Sequence, residues 1–172
     1  MTAHSIKTIL AETLRIFMRC GVKAVTMDDI AHHLGISKRT LYEHFGDKDT
    51  LLLEVVRYAL ARQQVRQRAL YASAAHPLQV SLELYRELLQ YLRSMNANCL
   101  TDIGKYHPRV AVFVQEEGER RMQQSIAMLR EGQRLGYVRP ELQPEILARL
   151  LGLQFGAPLT TRETRWDHVS VS

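Results

Sequence analysis

Apolar positions recur along this chain at three- and four-residue spacings, and no stretch keeps the alternation of a half-buried strand for more than a few residues, so the pattern predicts an all-α protein. Ile6, Leu10, Leu14 and Phe17 form one stripe, and Gly21 is placed to stop the helix that carries it. Thr26 and Asp29 have the spacing of a capping box, with Ile30 and Leu34 supplying the inward face of a short second helix that ends at Gly35. Ser37 caps a third helix, in which Leu41 and Phe45 stand one turn apart before Gly46. Asp47 caps a long fourth helix to about Leu70, with Leu51, Leu52, Val55 and Ala59 facing inward. The small residues from Ala72 to His76 read as a linker. Pro77 opens a fifth helix containing Leu78, Leu82, Tyr85, Leu89 and Leu92, a short sixth precedes "YHPRV", Pro108 opens a seventh running towards Leu135, and Pro144 to Phe155 is an eighth.

The second and third helices, joined by a tight glycine turn, make a helix-turn-helix. With Leu41 and Phe45 inward, steps of about 100° per residue turn Arg39, Thr40 and Glu43 to the far side, Tyr42 and His44 to the flanks, and leave Lys38 at the amino end. Arg and Lys can reach guanine O6 and N7, Thr offers a hydroxyl and a methyl, and Tyr and His can bond phosphate oxygens. Thr26, Ser37 and Lys48 lie at helix starts, where outward backbone N–H groups add to a phosphate site. A carboxylate at Glu43 opposes this reading unless it accepts from cytosine N4 or turns aside.

Charge agrees with a polyanion partner for the first part of the chain. Of a net +5, the residues up to Leu70 carry 11 Lys/Arg against 7 Asp/Glu, and the remainder 12 against 11. At 172 residues and 46% hydrophobic, the chain can bury a substantial core without disulfides or a structural metal. Cys20 and Cys99 are far apart and lack C-x-x-C spacing, so they read as packing residues. No apolar run is long enough to span a bilayer, and the start, "MTAHSIKTIL", does not resemble a secretory signal, which points to a cytoplasmic protein with no membrane partner.

The run "VTMDDIAHHLGISKRTLYEHFGDKDTLL", Val25 to Leu52, closely resembles the amino-terminal signature of the tetracycline-repressor (TetR) family of bacterial transcriptional regulators. Thr26, Ile30-Ala31, Gly35-Ile36-Ser37, Leu41-Tyr42, Phe45, Lys48 and Leu51 match its recurring positions. The resemblance implies a DNA-binding domain over residues 1–47, with Lys38, Arg39, Thr40, Tyr42 and His44 as DNA contacts and Thr26 and Lys48 as backbone clamps. Many members have Gly or Pro where this sequence has Arg39, so its base preference is its own. The resemblance further implies a helical bundle over residues 48–172 that binds a small-molecule effector and forms a homodimer, the whole acting as a ligand-responsive repressor on a palindromic operator in double-stranded DNA.

An effector pocket in that bundle would draw on Tyr58, Tyr85, Tyr91, Met95, Tyr106, Phe113 and Met122, although aromatic and Met residues at helical spacing are usually core. Positive charge is not concentrated there, which gives no preference for an anionic ligand. Catalysis has little to build on: Cys99 and His107 lack an acid partner at a telling spacing, and adjacent His32 and His33 point about 100° apart and cannot share a metal. No enzyme, metal or cofactor is expected. A protein-interaction module on the same fold, with weakened DNA binding, is the alternative.

After Phe155 the sequence "GAPLTTRETRWDHVSVS" loses its apolar stripe where family members continue into a ninth helix. This leads to the expectation that the ninth helix is absent or degraded. Ile146, Leu147, Leu150, Leu151 and Leu153 of the eighth helix would then expose apolar surface, and dimerisation would be weak or use a different face.

Overall fold

The computed structural model describes residues 5–73 and 77–153, which form eight helices. These are α1 (Ile6–Cys20), α2 (Met27–Leu34), α3 (Lys38–Phe45), α4 (Lys48–Ala72), α5 (Pro77–Ser94), α6 (Cys99–Tyr106), α7 (Pro108–Arg134) and α8 (Pro144–Leu153). The tail beyond residue 153, including Phe155 and the segment expected to lack a ninth helix, lies outside the described residues.

The first four helix starts are each closed by a side chain, which satisfies amide groups that a helix leaves orphaned. Ser5 accepts from the Thr8 amide, Ser37 from Thr40 and Asp47 from Thr50, while Thr26 and Asp29 complete a reciprocal capping box. Gly35 ends α2 in the left-handed region (φ 63°), a conformation that lets the chain reverse between α2 and α3 at no steric cost.

The buried face of α1 is Ile9, Leu10, Thr13, Ile16 and Phe17. That face is rotated from the predicted stripe: Leu14 is only partly buried and Ile6, in the first turn, stands exposed. Thr13 is fully buried there, a position that hydropathy does not flag. Against this face pack Ile30, Ala31 and Leu34 of α2 and Leu51, Leu52 and Val55 of α4, and Leu41 and Phe45 of α3 join the same cluster through α2 and α4. Each such fully buried Leu or Ile contributes about 1.5–3 kcal/mol of transfer free energy.

The same core continues into the second half of the chain through Cys99, Ile103 and Val110. Polar contacts reinforce that join at the carboxy end of α1, where helix carbonyls lack internal partners. Asn96 donates its backbone N–H to the Met18 oxygen at 2.6 Å and its side-chain amide to the Arg19 oxygen at 3.3 Å. The Cys99 thiol donates to the Phe17 oxygen at 2.9 Å. Buried Asp102 accepts from the Lys23 amide at 2.8 Å, and buried His107 pairs through Nδ1 with Asp49 Oδ1 at 2.5 Å. Gly21 (φ 84°) sits under this contact, and a Cβ there would stand 3.3 Å from Asp102 Oδ2.

Further out, α7 and α8 pack on each other around a small second cluster of Ile126, Leu129 and Ala148, flanked by Met122, Val138 and Leu147.

Candidate nucleic-acid interface

Helix α3 is anchored by Leu41 and Phe45, both buried, and presents the rest of its surface outward. Lys38, Arg39, Tyr42, Glu43 and His44 are exposed and Thr40 is half-buried, as the helical wheel requires. All five expected contacts on this helix therefore share the surface that projects from the domain.

Several of these side chains already have partners. The Lys38 ammonium pairs with Asp28 of α2, across the turn. Arg39 Nε donates to Glu43 Oε1 at 2.7 Å, one helical turn away. The carboxylate that opposes nucleic-acid binding is thus turned aside onto the arginine. Ser37 and Thr40 hydroxyls lie 2.8 Å apart. Thr26 Oγ1 accepts from the Asp29 amide at 3.1 Å and donates to Asp29 Oδ2 at 2.6 Å. Hydrogen bonds from the Thr26 hydroxyl and amide hold the Asp29 carboxyl below its usual range.

Lys48 occupies the first position of α4 and is half-buried. Its ammonium donates to the Val22 oxygen at 2.7 Å, tying the start of α4 to the α1–α2 loop, and burial pushes its pKa down. An ammonium has three donors, so one bond to Val22 leaves others for an outside acceptor. Asp28 and the Val22 carbonyl are the site partners that the sequence did not single out. The Asp28–Lys38 pair bridges ten residues and a turn, whereas Arg39–Glu43 has an i, i+4 spacing that could have been read directly.

The sequence model for bacterial regulatory proteins of the tetR family matches residues 9–55, which span α1 to the buried Val55 of α4. Residues 9–55 thus carry the amino-terminal domain of the tetR family. The HTH-type transcriptional regulator YvaF of Bacillus subtilis is 35% identical over 102 residues, covering 59% of this chain and 53% of its own length. This chain thus spans about half of that relative. The HTH-type transcriptional repressor KstR2 of Mycobacterium tuberculosis is 23% identical over 170 residues, covering 91% of this chain and 84% of the relative. Among solved structures, a transcriptional regulator from Saccharomonospora viridis in complex with choline superposes with a TM-score of 0.71 at 26% identity, over 85% of this chain and 79% of that one. That family match agrees with the helix-turn-helix at residues 27–45 and with the helices that make up the described residues.

Among the described residues, those named for an effector pocket take several different settings. Tyr58 and Met95 are partly buried against the main core, and Met122 flanks the second cluster. Phe113 stacks under the Arg57 guanidinium at 5.2 Å and lines an open groove of about 190 Å³ between α4 and α7, with Leu60, Ala61, Gln64, Glu117 and Arg120. Tyr91 is half-buried, and burial raises its phenol pKa. The side chain of Tyr85 lies outside the described residues. Tyr106 stands at the exposed end of α6, beside Lys23 rather than inside the bundle.

One polar group in the bundle escapes a reading of the sequence. Arg121 of α7 is half-buried, donates to Gln63 Oε1 of α4 at 2.9 Å, and has its pKa lowered by burial. Its helical neighbour Glu117 is buried and bonded to Arg120 at 2.6 Å.

Cys99 does not have the setting of a nucleophile. Burial and the nearby Asp102 push its thiol up to about 11, so it stays protonated at neutral pH, and it is spent on the Phe17 carbonyl. Among the described residues no group of three His, Cys, Asp or Glu is placed to hold a metal ion, and no helix is long and apolar enough to cross a membrane.

Proposed function

We propose that this chain is a ligand-responsive transcriptional repressor that binds an inverted repeat in duplex DNA as a homodimer. The observation that carries this reading is the division of α3 into a buried pair, Leu41 and Phe45, and a projecting face of Lys38, Arg39, Thr40, Tyr42 and His44. In the proposed complex Arg39 exchanges Glu43 for a base edge and so carries sequence preference. Lys38 and His44 reach base or phosphate at the two ends of the helix. Thr26, Ser37 and Lys48 present hydroxyls, helix-start amides and an ammonium to phosphates. One α3 reads too few bases to define a site, and a twofold pair of them matches a palindrome.

The effector domain of this reading is the bundle of α4 to α8. Tyr58, Tyr91 and Phe113, together with half-buried Arg121, suit a small molecule that is largely aromatic or apolar and carries one polar group. The choline complex of the Saccharomonospora relative supports a small-molecule site on this fold. Effector control then shifts the spacing of two α3 helices between DNA-competent and incompetent states, by no more than the ligand's differential affinity for them.

The second reading, a protein-interaction module, draws on the Lys38–Asp28 and Arg39–Glu43 pairs, which neutralise the two cations best placed for bases. Selection of duplexes from a random pool by the purified protein separates the two. The repressor reading expects an enriched dyad and binding that weakens steeply with salt. Arg39→Ala then costs roughly 1–3 kcal/mol and relaxes one base position, whereas Lys48→Ala weakens all sequences alike. A pool without enrichment and a salt-independent response establishes the interaction module instead.

A further inference from the structure

Tyr106 closes α6 with its side chain 41% exposed, and two lysines converge on its ring. Lys23 Nζ, from the α1–α2 loop, lies 4.8 Å from the ring centroid, and Lys105 Nζ lies 5.4 Å from it. Hydrogen bonding to Lys23 holds the Tyr106 phenol below its usual range, with Lys105 acting in the same direction. Both lysines are exposed. Two ammonium groups brought to one ring repel each other, and the ring face with its phenol oxygen offsets that only in part. Asp102 attracts the Lys23 ammonium, but its carboxylate is buried and accepts from the Lys23 backbone amide at 2.8 Å. That bond instead fixes the loop from which the Lys23 side chain projects.

The location of the pair points to what it binds. Lys23 adjoins Val22, whose oxygen holds Lys48 at the start of α4, and precedes Thr26 at the start of α2 by three residues. The lysine pair therefore extends a line of groups already suited to phosphate. Resting on the DNA-binding reading above, we propose that Lys23, Lys105 and Tyr106 form a further phosphate-binding patch, through which α6, outside the helix-turn-helix, grips the backbone of the same duplex. The consequence is regulatory. Because α6 belongs to the second half of the chain, an effector that displaces α6 withdraws the patch from the backbone directly, in addition to any change in the spacing of two α3 helices.

The test is the salt dependence of binding to a random-sequence 30-base-pair duplex, which reports how many phosphates the protein neutralises without requiring the operator. For the full chain carrying Lys23→Gln with Lys105→Gln, the slope of log affinity against log salt is expected to fall by about 1.8, or about 0.9 for each phosphate no longer neutralised. The wild type's advantage then shrinks about twelvefold between 50 and 200 mM salt. The charge-preserving pair Lys23→Arg with Lys105→Arg should keep the wild-type slope. Arg68→Gln, about 30 Å along α4 from Lys48, is a control that removes a remote positive charge and should leave it unchanged. All these positions are exposed, and an unaltered melting curve checks that each variant is folded. Equal slopes for wild type and the double Gln variant, or an equal loss in Arg68→Gln, overturn the patch alone. A wild type that shows no salt-dependent binding overturns the patch together with the DNA-binding reading.

Discussion

The two ends of α4 belong to different kinds of structure. Its first turns place Leu51, Leu52 and Val55 in full burial, at 2% exposure or less, against α1. Some ten residues on, Val65 is 67% exposed, and Arg62, Gln64 and Arg66 stand in solvent around it. The difference extends to the regions that each end serves. Near the start of α4, eighteen buried residues form one cluster that α1, α2 and α3 close from all sides, with Cys99, Ile103 and Val110 completing it. Around α7 and α8, three buried residues form the second cluster, and Leu135, Leu142, Ile146 and Leu150 are turned outward. The proposed DNA-reading helices require rigid support, and the first cluster supplies it from within one chain. The second region holds apolar surface that this chain does not cover among the described residues, which suits a part whose packing is completed from outside.

The sharpest way to break this comparison is to make the same cavity in both clusters. Leu41→Ala empties a fully enclosed site between α3 and its supports, and the expected loss is at the upper end of about 2–5 kcal/mol. Leu129→Ala removes the same atoms from a side chain that still touches solvent, so its cost should fall at the lower end of that range. Urea unfolding of the two variants measures both. If Leu129→Ala costs as much as Leu41→Ala, the second region is as closed as the first and the contrast fails.

These two regions also differ in how far they can be read from sequence. The amino-terminal part is written in local signals: caps at Thr26, Ser37 and Asp47, a left-handed glycine at position 35, and apolar spacings of three and four. Such signals act within a few residues, so they are legible without tertiary information. Even here the face of α1 is rotated from its apolar stripe, because Thr13 is buried by its neighbours and not by its own hydrophobicity. The pocket residues are less legible. Whether Tyr106 faces a bundle interior or Lys23 depends on where α6 docks, and that is settled by Asn96, Cys99 and Asp102 meeting the end of α1 some eighty residues earlier. Arg121 likewise reads as an ordinary surface cation until Gln63 is brought to it.

A second prediction sharpens the comparison at the exposed end. Ile146 and Leu150, one turn apart on α8, are 52% and 53% exposed, while Ala148 between them is buried against α7. If this face is completed by a second copy, Leu150→Arg places an unpaired charge in the seam and should weaken association about a hundredfold, equivalent to roughly 2.7 kcal/mol. Sedimentation over a concentration series measures the shift. Urea unfolding extrapolated to monomer should be unchanged, because Leu150 lies outside the buried clusters. Association that is indifferent to the substitution would place the contact between copies on another surface.

The smallest effect expected concerns the capping box that starts α2, and it tests whether the reading end is held by local chemistry as well as by its core. Thr26→Ala removes the hydroxyl that accepts from the Asp29 amide, and should cost about 1 kcal/mol. The same substitution removes the side-chain hydrogen bond that, ahead of the Thr26 amide, depresses the Asp29 carboxyl. A carboxyl whose pKa is lower folded than unfolded stabilises the fold above its unfolded value, near 4, and that contribution is lost as the pH falls through the folded value. The wild type should therefore lose stability on acidification below about pH 4 more steeply than Thr26→Ala, and the gap between the two should narrow as the pH falls. Asp47, depressed by the Thr50 amide at the start of α4, is unchanged in the variant and keeps its own acid dependence in both proteins. Thermal melting from about pH 7 to about pH 2.5, a range that brackets the carboxyl titration, makes the measurement. A constant gap at every pH would mean that the Asp29 carboxylate takes no part in the cap, leaving α2 positioned by Ile30 and Leu34 alone.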